Sequence, residues 1–224
     1  MNWIGGKGFG YFEDICRPKE ELIRKAQSLS TPLVSDAMGR QGAMDYRIKP
    51  IREGMRVVGP AITVRLPPGD NLMAHQAIAL VLQGDIIVVD TGGNTLNAPF
   101  GQIMCTVCVK KGIRGIVIDG VIRDIEHLRA MNFPVFARGA SPQACEKDGP
   151  GTINTKIACG NVVVEPGDLI IGDDNGVVVI PKEKIEQVII EAQAIQEKES
   201  SRLQQIEKGN LYPVWLEKTL KEKL

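Results

Sequence analysis

Two short apolar runs constrain the fold of this chain more than any other feature. Residues 86–90 read IIVVD, and residues 116–120 read IVIDG. Short, unbroken and β-branched runs are typical of strands that are buried on both faces, as in a parallel sheet. Residues 99–112, which lie between them, are predicted to form the crossover helix. Because open α/β sheets bind ligands beyond the carboxyl ends of their strands, we expect a site just past these two runs.

The composition excludes several classes of partner. Lys and Arg number 27, Asp and Glu also number 27, and aromatic residues make up only 4% of the chain. A net charge of zero provides no long-range attraction to nucleic acid or anionic lipid, and few aromatic side chains are available to stack on bases. No window resembles a membrane span. Five cysteines, an odd number, favour a reducing compartment. We therefore expect a cytoplasmic protein that binds neither nucleic acid nor membranes.

The chain is predicted to form one α/β domain over residues 1–224. Residues 1–16 are glycine-rich and are expected to be an irregular arm, and residues 182–224 are expected to be a helical extension. Residues 55–66 predict a bent strand or two short ones around Gly59-Pro60, and residues 70–83 predict a helix. Ser35 or Asp36 could cap a short helix, or Asp36 could present a carboxylate to a site. The Cys105/Cys108 pair lies in mid-helix, which favours buried small residues over a redox pair.

One group of residues combines the features of an anion and cation site. The start of the crossover helix has unpaired amides that can bind a carboxylate. Arg123 and Asp124 follow the neighbouring strand and add a guanidinium fork and one hard oxygen ligand, which is how magnesium is usually held together with waters. Asp124 could instead cap its own helix or form a structural ion pair with Arg123. The helix-start residues are Gly101, Gln102, Ile103 and Met104.

Several motifs resemble those of the family of the regulator of ribonuclease E activity A. This family also contains the divalent-metal-dependent 4-hydroxy-4-methyl-2-oxoglutarate aldolases, which have oxaloacetate decarboxylase side activity. The most specific element is Asp-Gly-x-x-Arg-Asp at residues 119–124. The resemblance implies a swivelling β/β/α fold and trimers or hexamers with sites at subunit boundaries. The matching segments are residues 33–38, 58–64, 84–90, 115–124 and 164–168.

The resemblance also implies roles for individual residues. Asp124 would bind Mg²⁺ or Mn²⁺, Arg123 would bind the keto oxygen of the substrate, and the amides of residues 101–104 would hold a pyruvate carboxylate. Glu199 of a neighbouring subunit would lie near a metal-bound water. The metal and Arg123 would then stabilise the enolate that forms when the C3–C4 bond breaks. Retro-aldol cleavage and loss of carbon dioxide both produce this enolate.

Gln102 is a departure from the family pattern. The aldolase signature has an aspartate at this position, and an amide cannot act as a general base at neutral pH. Retro-aldol cleavage must remove a proton from the C4 hydroxyl, whereas decarboxylation need not. If the chain is an aldolase, Asp36 or a neighbour's Glu199 could be the base. Asp90 and Asp119 are the next candidates if the metal site lies elsewhere.

Two functions follow from these observations. The first is a divalent-metal-dependent carbon–carbon lyase that acts on 2-oxo acids containing a pyruvate unit, such as 4-hydroxy-4-methyl-2-oxoglutarate or oxaloacetate. The second is a non-catalytic protein-binding regulator of an RNA-degrading enzyme on the same fold. The presence of Asp124 favours the enzyme, because a regulator has no need of a metal ligand.

Overall fold

The computed structural model describes residues 2–224 as a mixed α/β fold with a central sheet. The strands are β1 (Trp3–Gly6), β2 (Phe9–Phe12), β3 (Lys49–Pro50), β4 (Val57–Arg65), β5 (Ile86–Asp90), β6 (Gly115–Asp119), β7 (Val121–Ile122), β8 (Val135–Ala137), β9 (Gly139–Ala140), β10 (Gly151–Ile153), β11 (Ile157–Cys159), β12 (Val162–Val164), β13 (Leu169–Asp173) and β14 (Gly176–Ile180). The helices are α1 (Glu20–Ala26), α2 (Thr31–Ala37), α3 (Leu72–Leu80), α4 (Gln102–Lys110), α5 (Ile125–Ala130), α6 (Ile185–Glu207) and α7 (Trp215–Lys223).

Strands β4, β5, β6 and β8 form a parallel core that is covered on both faces. Ile87 pairs in register with Ile62 and Ile116, and all three belong to the apolar cluster that includes residues of α3, α4 and α5. The alternate residues Ile86 and Val88 belong to a second cluster, which includes residues of β13 and β14. The two-sided burial predicted from the apolar runs is confirmed.

A second, smaller sheet layer lies against the central sheet. Strands β13 and β14 form an antiparallel hairpin, and β13 also pairs with β4. Val177 and Val179 of β14 pack toward the central sheet, whereas Val178 and Ile180 pack against residues of α1, α2 and α6. The order of layers is therefore helices, sheet, sheet, helices, which agrees with the β/β/α architecture that the resemblance implied.

Strand β4 joins the two sheet layers. Its first four residues pair with β13, and its last five pair with β5. Pro60, which has no N–H to donate, lies at the change of partner. Residue 59 has no room for a side chain, because a Cβ at this position would lie 2.7 Å from the Gly84 carbonyl oxygen. The predicted bend is thus one continuous strand that changes partners.

The prediction of an irregular amino-terminal arm is wrong for residues 3–12. Strands β1 and β2 form an antiparallel hairpin, and β2 continues the sheet by pairing in parallel with β10. The rings of Trp3 and Phe12, which are paired across the hairpin, meet edge to face with centroids 5.1 Å apart. Cross-strand aromatic contacts of this kind stabilise a hairpin even where glycine is abundant.

The capping role considered for Ser35 and Asp36 is also wrong. Both residues lie in the second half of α2, after the first turn of the helix. The first turn is instead capped from a distance by Asp173 of β13, which accepts hydrogen bonds from the Thr31 amide (2.8 Å) and the Thr31 hydroxyl (2.7 Å). A cap supplied by a residue so remote in sequence leaves no local sequence signal.

The carboxyl-terminal residues form two helices. The first half of α6 buries Ile185, Val188, Ile189 and Ala192 against the second sheet layer, whereas α7 has no buried residue. Within residues 2–224 no helix combines the length and the apolar character needed to cross a bilayer.

The burial of the central strands on both faces predicts which side-chain truncations to alanine destabilise the fold. Ile118 of β6 is completely buried, so Ile118→Ala is expected to lower the free energy of unfolding by about 2–5 kcal/mol. The matched change Ile190→Ala, on the solvent side of α6 where the side chain is 61% exposed, is expected to change it by less than about 0.5 kcal/mol. Urea unfolding followed by circular dichroism measures both. Equal losses in the two variants would contradict the assignment of β6 to the core.

Candidate functional site

A cavity of about 190 Å³ lies beside the start of α4 and the loop that follows β7. Its wall also includes the residue that precedes α3 and part of the loop over residues 144–147. The residues that line it include Asn71, Gly101, Ile103, Met104, Arg123 and Asp124.

Asp124 is directed toward α4 by an unusual backbone conformation. It precedes α5 with φ 60° and ψ 38°, in the left-handed region that few residues other than glycine adopt. Its carboxylate makes no hydrogen bond to the first turn of α5; instead, its Oδ2 accepts a hydrogen bond from the Gln102 amide at 2.9 Å. The possibility that Asp124 caps its own helix is therefore wrong: it caps the start of α4.

A hydrogen bond fixes the backbone of Arg123, whereas its side chain has no hydrogen-bond partner within residues 2–224. The Arg123 amide donates to the Phe100 carbonyl oxygen at 3.0 Å, which ties this loop to the residues before α4. Arg123 Nε lies 3.7 Å from Asp124 Oδ2, and both side chains are more than one third exposed. At that distance the pair is loose, beyond hydrogen-bond length. Within residues 2–224 the guanidinium donates no hydrogen bond, so its fork is available to a ligand in the cavity.

Gly101 allows these two side chains to lie against the chain before α4. A Cβ at this position would lie 2.5 Å from Asp124 Oδ2 and 2.9 Å from Arg123 Cγ. The backbone of Gly101 has φ −148°, which any residue can adopt. The requirement for glycine here is therefore one of space.

The amides at the start of α4 are only partly available. Asp124 already accepts from the Gln102 amide, whereas the amides of Ile103 and Met104 have no protein acceptor within residues 2–224. These two can bind an anion at the positive end of the helix dipole. The Gln102 side chain is exposed and does not line the cavity, although its backbone is part of the site.

The donor set at Asp124 fits a hard divalent cation with open coordination positions. Asp124 Oδ2 is engaged by the Gln102 amide, but Oδ1 accepts no hydrogen bond within residues 2–224. No group of three His, Cys, Asp or Glu side chains converges anywhere in the described part of the chain. Magnesium is commonly bound through one or two carboxylates, with waters and substrate oxygens as the other ligands. A single half-exposed carboxylate beside a cavity meets that description, whereas a closed zinc site would need more protein ligands.

Asp119, one of the alternative metal candidates, is a structural anchor. Its carboxylate is buried, forms an ion pair with Arg138 and accepts a hydrogen bond from the Gly160 amide at 2.8 Å. Its carbonyl oxygen accepts a hydrogen bond from the Thr91 hydroxyl. These contacts fix the beginning of the loop that carries Arg123 and leave no free oxygen for a cation.

The other candidate carboxylates lie outside the cavity. Asp90 ends β5, accepts a hydrogen bond from the Gly92 amide and lines a different depression; burial raises its pKa above the ordinary value. Asp36 lies in α2, which packs on α6 and β14. Glu199 is exposed on α6. Its role in a neighbouring subunit, and the trimer or hexamer which that role requires, stay predictions.

The sequence analysis missed part of the cavity wall. Asn71, His75, Cys145 and Lys147 all line it. Burial, with a smaller contribution from Lys147, lowers the pKa of His75, so its imidazole is mainly neutral at pH 7. The one available signal was the succession of two capping residues, Asp70 and Asn71, at the start of the predicted helix over residues 70–83, since a helix needs only one.

The C-x-x-C pair lies beneath the site as part of the core. Cys105 and Cys108 are completely buried, and burial raises the pKa of Cys108 to about 12. A thiol with so high a pKa is a poor nucleophile and metal ligand at neutral pH. The prediction that both are buried small residues is confirmed.

Comparison with known proteins places this geometry in a family. The family model described as "RraA-like: Aldolase/RraA" matches residues 31–179. The chain belongs to the RraA-like family. The match covers strands β3 to β13, most of β14 and the whole of the loop that carries Arg123 and Asp124.

The relatives of this RraA-like chain carry two kinds of name. A protein of Halalkalibacterium halodurans named "Putative 4-hydroxy-4-methyl-2-oxoglutarate aldolase" is 41% identical over 182 residues, which is 81% of this chain and 87% of the relative. A solved structure from Pseudomonas syringae, described as uncharacterized, has a TM-score of 0.79 and 28% identity over 88% of this chain and 92% of the other. Streptomyces coelicolor RraAS2, described as an unusual member of the RNase ES inhibitor RraA protein family, has a TM-score of 0.75 and 27% identity over 84% of this chain and 100% of the other.

The contact at Gly101 predicts an effect that is separate from folding. Gly101→Ala is expected to displace Asp124 and Arg123 and to reduce any activity of the site by about 100-fold, as misplacement of reacting groups by about 1 Å can. The control is Gly139→Ala, because Gly139 has open space around its Cβ position and no left-handed backbone. Thermal unfolding and pyruvate release measure the two effects. Unchanged pyruvate release in Gly101→Ala would show that these side chains need not lie where they do.

Proposed function

We propose that this RraA-like chain is a divalent-cation-dependent carbon–carbon lyase that releases pyruvate from 2-oxo acids. The observation that carries the proposal is the uncommitted guanidinium of Arg123, which lies beside the Asp124 carboxylate at the cavity that the start of α4 also lines. The guanidinium and the free backbone amides can bind the oxygens of a 2-oxo acid, and the carboxylate can bind the divalent cation that accompanies it.

Each part of a 2-oxo acid has a matching group in the cavity. The free amides of Ile103 and Met104 suit the carboxylate, because helix amino termini attract anions. The Arg123 guanidinium suits the neighbouring keto oxygen, since it is always charged and its free N–H groups can donate to an oxygen that becomes negative. Asp124, whose Oδ1 accepts no hydrogen bond within residues 2–224, would hold the divalent cation.

The proposed reaction breaks the bond between C3 and C4 of the acid. The electron pair of that bond passes to C3 and is delocalised onto the former keto oxygen. Arg123 is placed to stabilise the negative charge that develops there, and a donor already in position lowers the barrier most. A divalent cation, when bound, adds Lewis-acid stabilisation of the same charge. In retro-aldol cleavage the C4 hydroxyl loses its proton and the leaving part departs as a carbonyl compound, whereas in decarboxylation it departs as carbon dioxide. The enolate then takes a proton at C3 from water, which gives pyruvate.

The aldolase name of the 41% identical relative supports this class of reaction, and the name itself is provisional. A second candidate function is a protein-binding regulator, which is supported by the description of Streptomyces coelicolor RraAS2 and by Gln102 in place of a carboxylate. Asp124 favours the lyase, because its Oδ1 accepts no hydrogen bond within residues 2–224 and is available to a cation.

A pyruvate-release assay over a panel of 2-oxo acids tests the proposal. We expect release with added Mg²⁺ or Mn²⁺ and its loss with a chelator. Arg123→Lys and Asp124→Asn are each expected to reduce the rate by about 100- to 1,000-fold, the usual effect of removing one group that stabilises a developing oxyanion. Asp124→Asn is chosen because the amide oxygen can still accept the hydrogen bond from Gln102 and preserve the cap of α4.

The outcomes separate the two candidate functions. Release of pyruvate that both variants abolish, with unchanged thermal unfolding, supports the lyase. No release from any acid, with or without added metal, rules the lyase out and leaves the protein-binding regulator as the better candidate.

The identity of residue 102 predicts which of the two cleavages dominates. We expect the wild type to favour oxaloacetate decarboxylation, because Gln102 cannot take the C4 hydroxyl proton that retro-aldol cleavage must lose. Gln102→Asp is expected to raise the ratio of retro-aldol cleavage to decarboxylation. General-base assistance is typically worth about 100- to 10,000-fold, so even a poorly placed carboxylate should change the ratio measurably.

The ratio of the two rates is the measurement, because changes in folding or metal affinity cancel in it. Gln204→Asp is the matched control, since Gln204 is an exposed glutamine of α6, a helix that contributes no residue to the cavity. If Gln102→Asp keeps both activities and leaves the ratio unchanged, residue 102 does not handle the proton.

A further inference from the structure

Asn71 is a residue of the cavity wall, and its side chain has a buried polar atom without a partner within residues 2–224. Asn71 immediately precedes α3 and is only 7% exposed. Its Nδ2 donates to the Pro99 carbonyl oxygen at 2.9 Å, which fixes the orientation of the amide. Its Oδ1 is buried and accepts no hydrogen bond within residues 2–224. A buried acceptor without a donor is unfavourable unless a ligand or water supplies one.

The helix does not need this side chain for its own stability. An asparagine before a helix usually accepts a hydrogen bond from an amide of the first turn. Here the preceding residue contacts that turn instead, because Asp70 Oδ1 accepts from the Leu72 amide at 2.8 Å. Asp70 Oδ2 also accepts from the amides of Asp148 and Gly149 and so holds the loop that follows the cavity residues 144–147. The Asn71 side chain therefore makes no hydrogen bond to the first turn of α3.

The neighbours of Asn71 connect it to the proposed reaction site. Pro99, which holds its Nδ2, lies two residues before Gly101, and Met104 Sδ lies 3.6 Å from the same nitrogen. Both of these residues line the cavity together with Arg123 and Asp124. The Met104 side chain is unbranched and adapts easily, so a ligand can reach the amide by displacing it.

We propose that Asn71 is a specificity-determining residue whose Oδ1 accepts a hydrogen bond from a hydroxyl group on the part of the substrate beyond its 2-oxo acid unit. An acceptor with no donor of its own selects a hydroxyl and disfavours a carboxylate or a carbonyl oxygen in that place. Asn71 orients the hydroxyl and takes no proton from it. This inference rests on the proposed function, because it assigns the rest of the same substrate.

A second asparagine provides a matched control. Asn154 is also buried, its Nδ2 donates to the Phe12 carbonyl oxygen, and its Oδ1 is likewise unpartnered within residues 2–224. It does not line the cavity. Since Asn154 has φ 57°, glycine is the replacement that its backbone tolerates. Asn154→Gly therefore removes an equivalent orphan acceptor at a place where no substrate is expected.

The test compares substrates with and without the hydroxyl. With Mg²⁺ present, kcat/KM is measured for 4-hydroxy-2-oxoglutarate and for oxaloacetate in the wild type, Asn71→Ala and Asn154→Gly. Asn71→Ala is expected to lower the ratio of the two values by about tenfold or more, because only the first substrate loses a hydrogen bond. Asn154→Gly is expected to leave it unchanged. Asn71→Ser, whose side chain suits a helix start but is too short to reach, replaces Asn71→Ala if that variant does not fold.

The results distinguish this inference from the proposed function. An unchanged ratio in Asn71→Ala, or turnover of oxaloacetate alone by the wild type, overturns the inference and leaves the lyase intact. If the wild type cleaves neither acid, the full panel of 2-oxo acids decides the lyase, and calorimetric affinities for 4-hydroxy-2-oxoglutarate and 2-oxoglutarate decide the inference instead. A preference for the hydroxylated acid that Asn71→Ala abolishes supports it, and equal or absent binding of the two acids overturns it.

Discussion

The rest of this structure depends on the burial of β5 and β6 on both faces. Because helices cover one face and the second sheet covers the other, only the ends of these strands can carry solvent-accessible polar side chains. The loop with Arg123 and Asp124 therefore lies beyond the carboxyl end of β6. Asp119, the last residue of β6, anchors the beginning of this loop through its contacts with Arg138 and Gly160. The rigid strand and the anchored turn fix the starting point from which Arg123 and Asp124 are placed.

The site itself is organised mainly by backbone contacts between two loops. The Arg123 amide binds the Phe100 carbonyl oxygen, and the Asp124 carboxylate binds the Gln102 amide, so residues 100–102 are held at both ends. Gly101, between these two contacts, has no side chain to separate the loops. Within the described residues 2–224 the guanidinium donates no hydrogen bond and one carboxylate oxygen accepts none, so both are already in place for a ligand.

The central part of the fold and site could be predicted from sequence because it depends on local patterns. The apolar runs of β5 and β6 fixed the sheet, and the polar residues after them included both Arg123 and Asp124. Contacts between residues remote in sequence could not be predicted in this way. Asp173 caps α2, Asp124 caps α4, and β2 pairs with β10, and in each case the partner lies far along the chain. Asn71 could not be predicted for the same reason, because the orientation of its amide depends on a hydrogen bond to the remote Pro99 carbonyl oxygen.

The left-handed backbone at Asp124 has a consequence for other members of the family. In that conformation glycine costs least and asparagine is tolerated, so an aspartate there is retained against the preference of the backbone. Glycine at this position would relieve the backbone but would remove the carboxylate that caps α4. We therefore expect other RraA-like chains to carry aspartate here where the carboxylate is used, and glycine or asparagine where it is not.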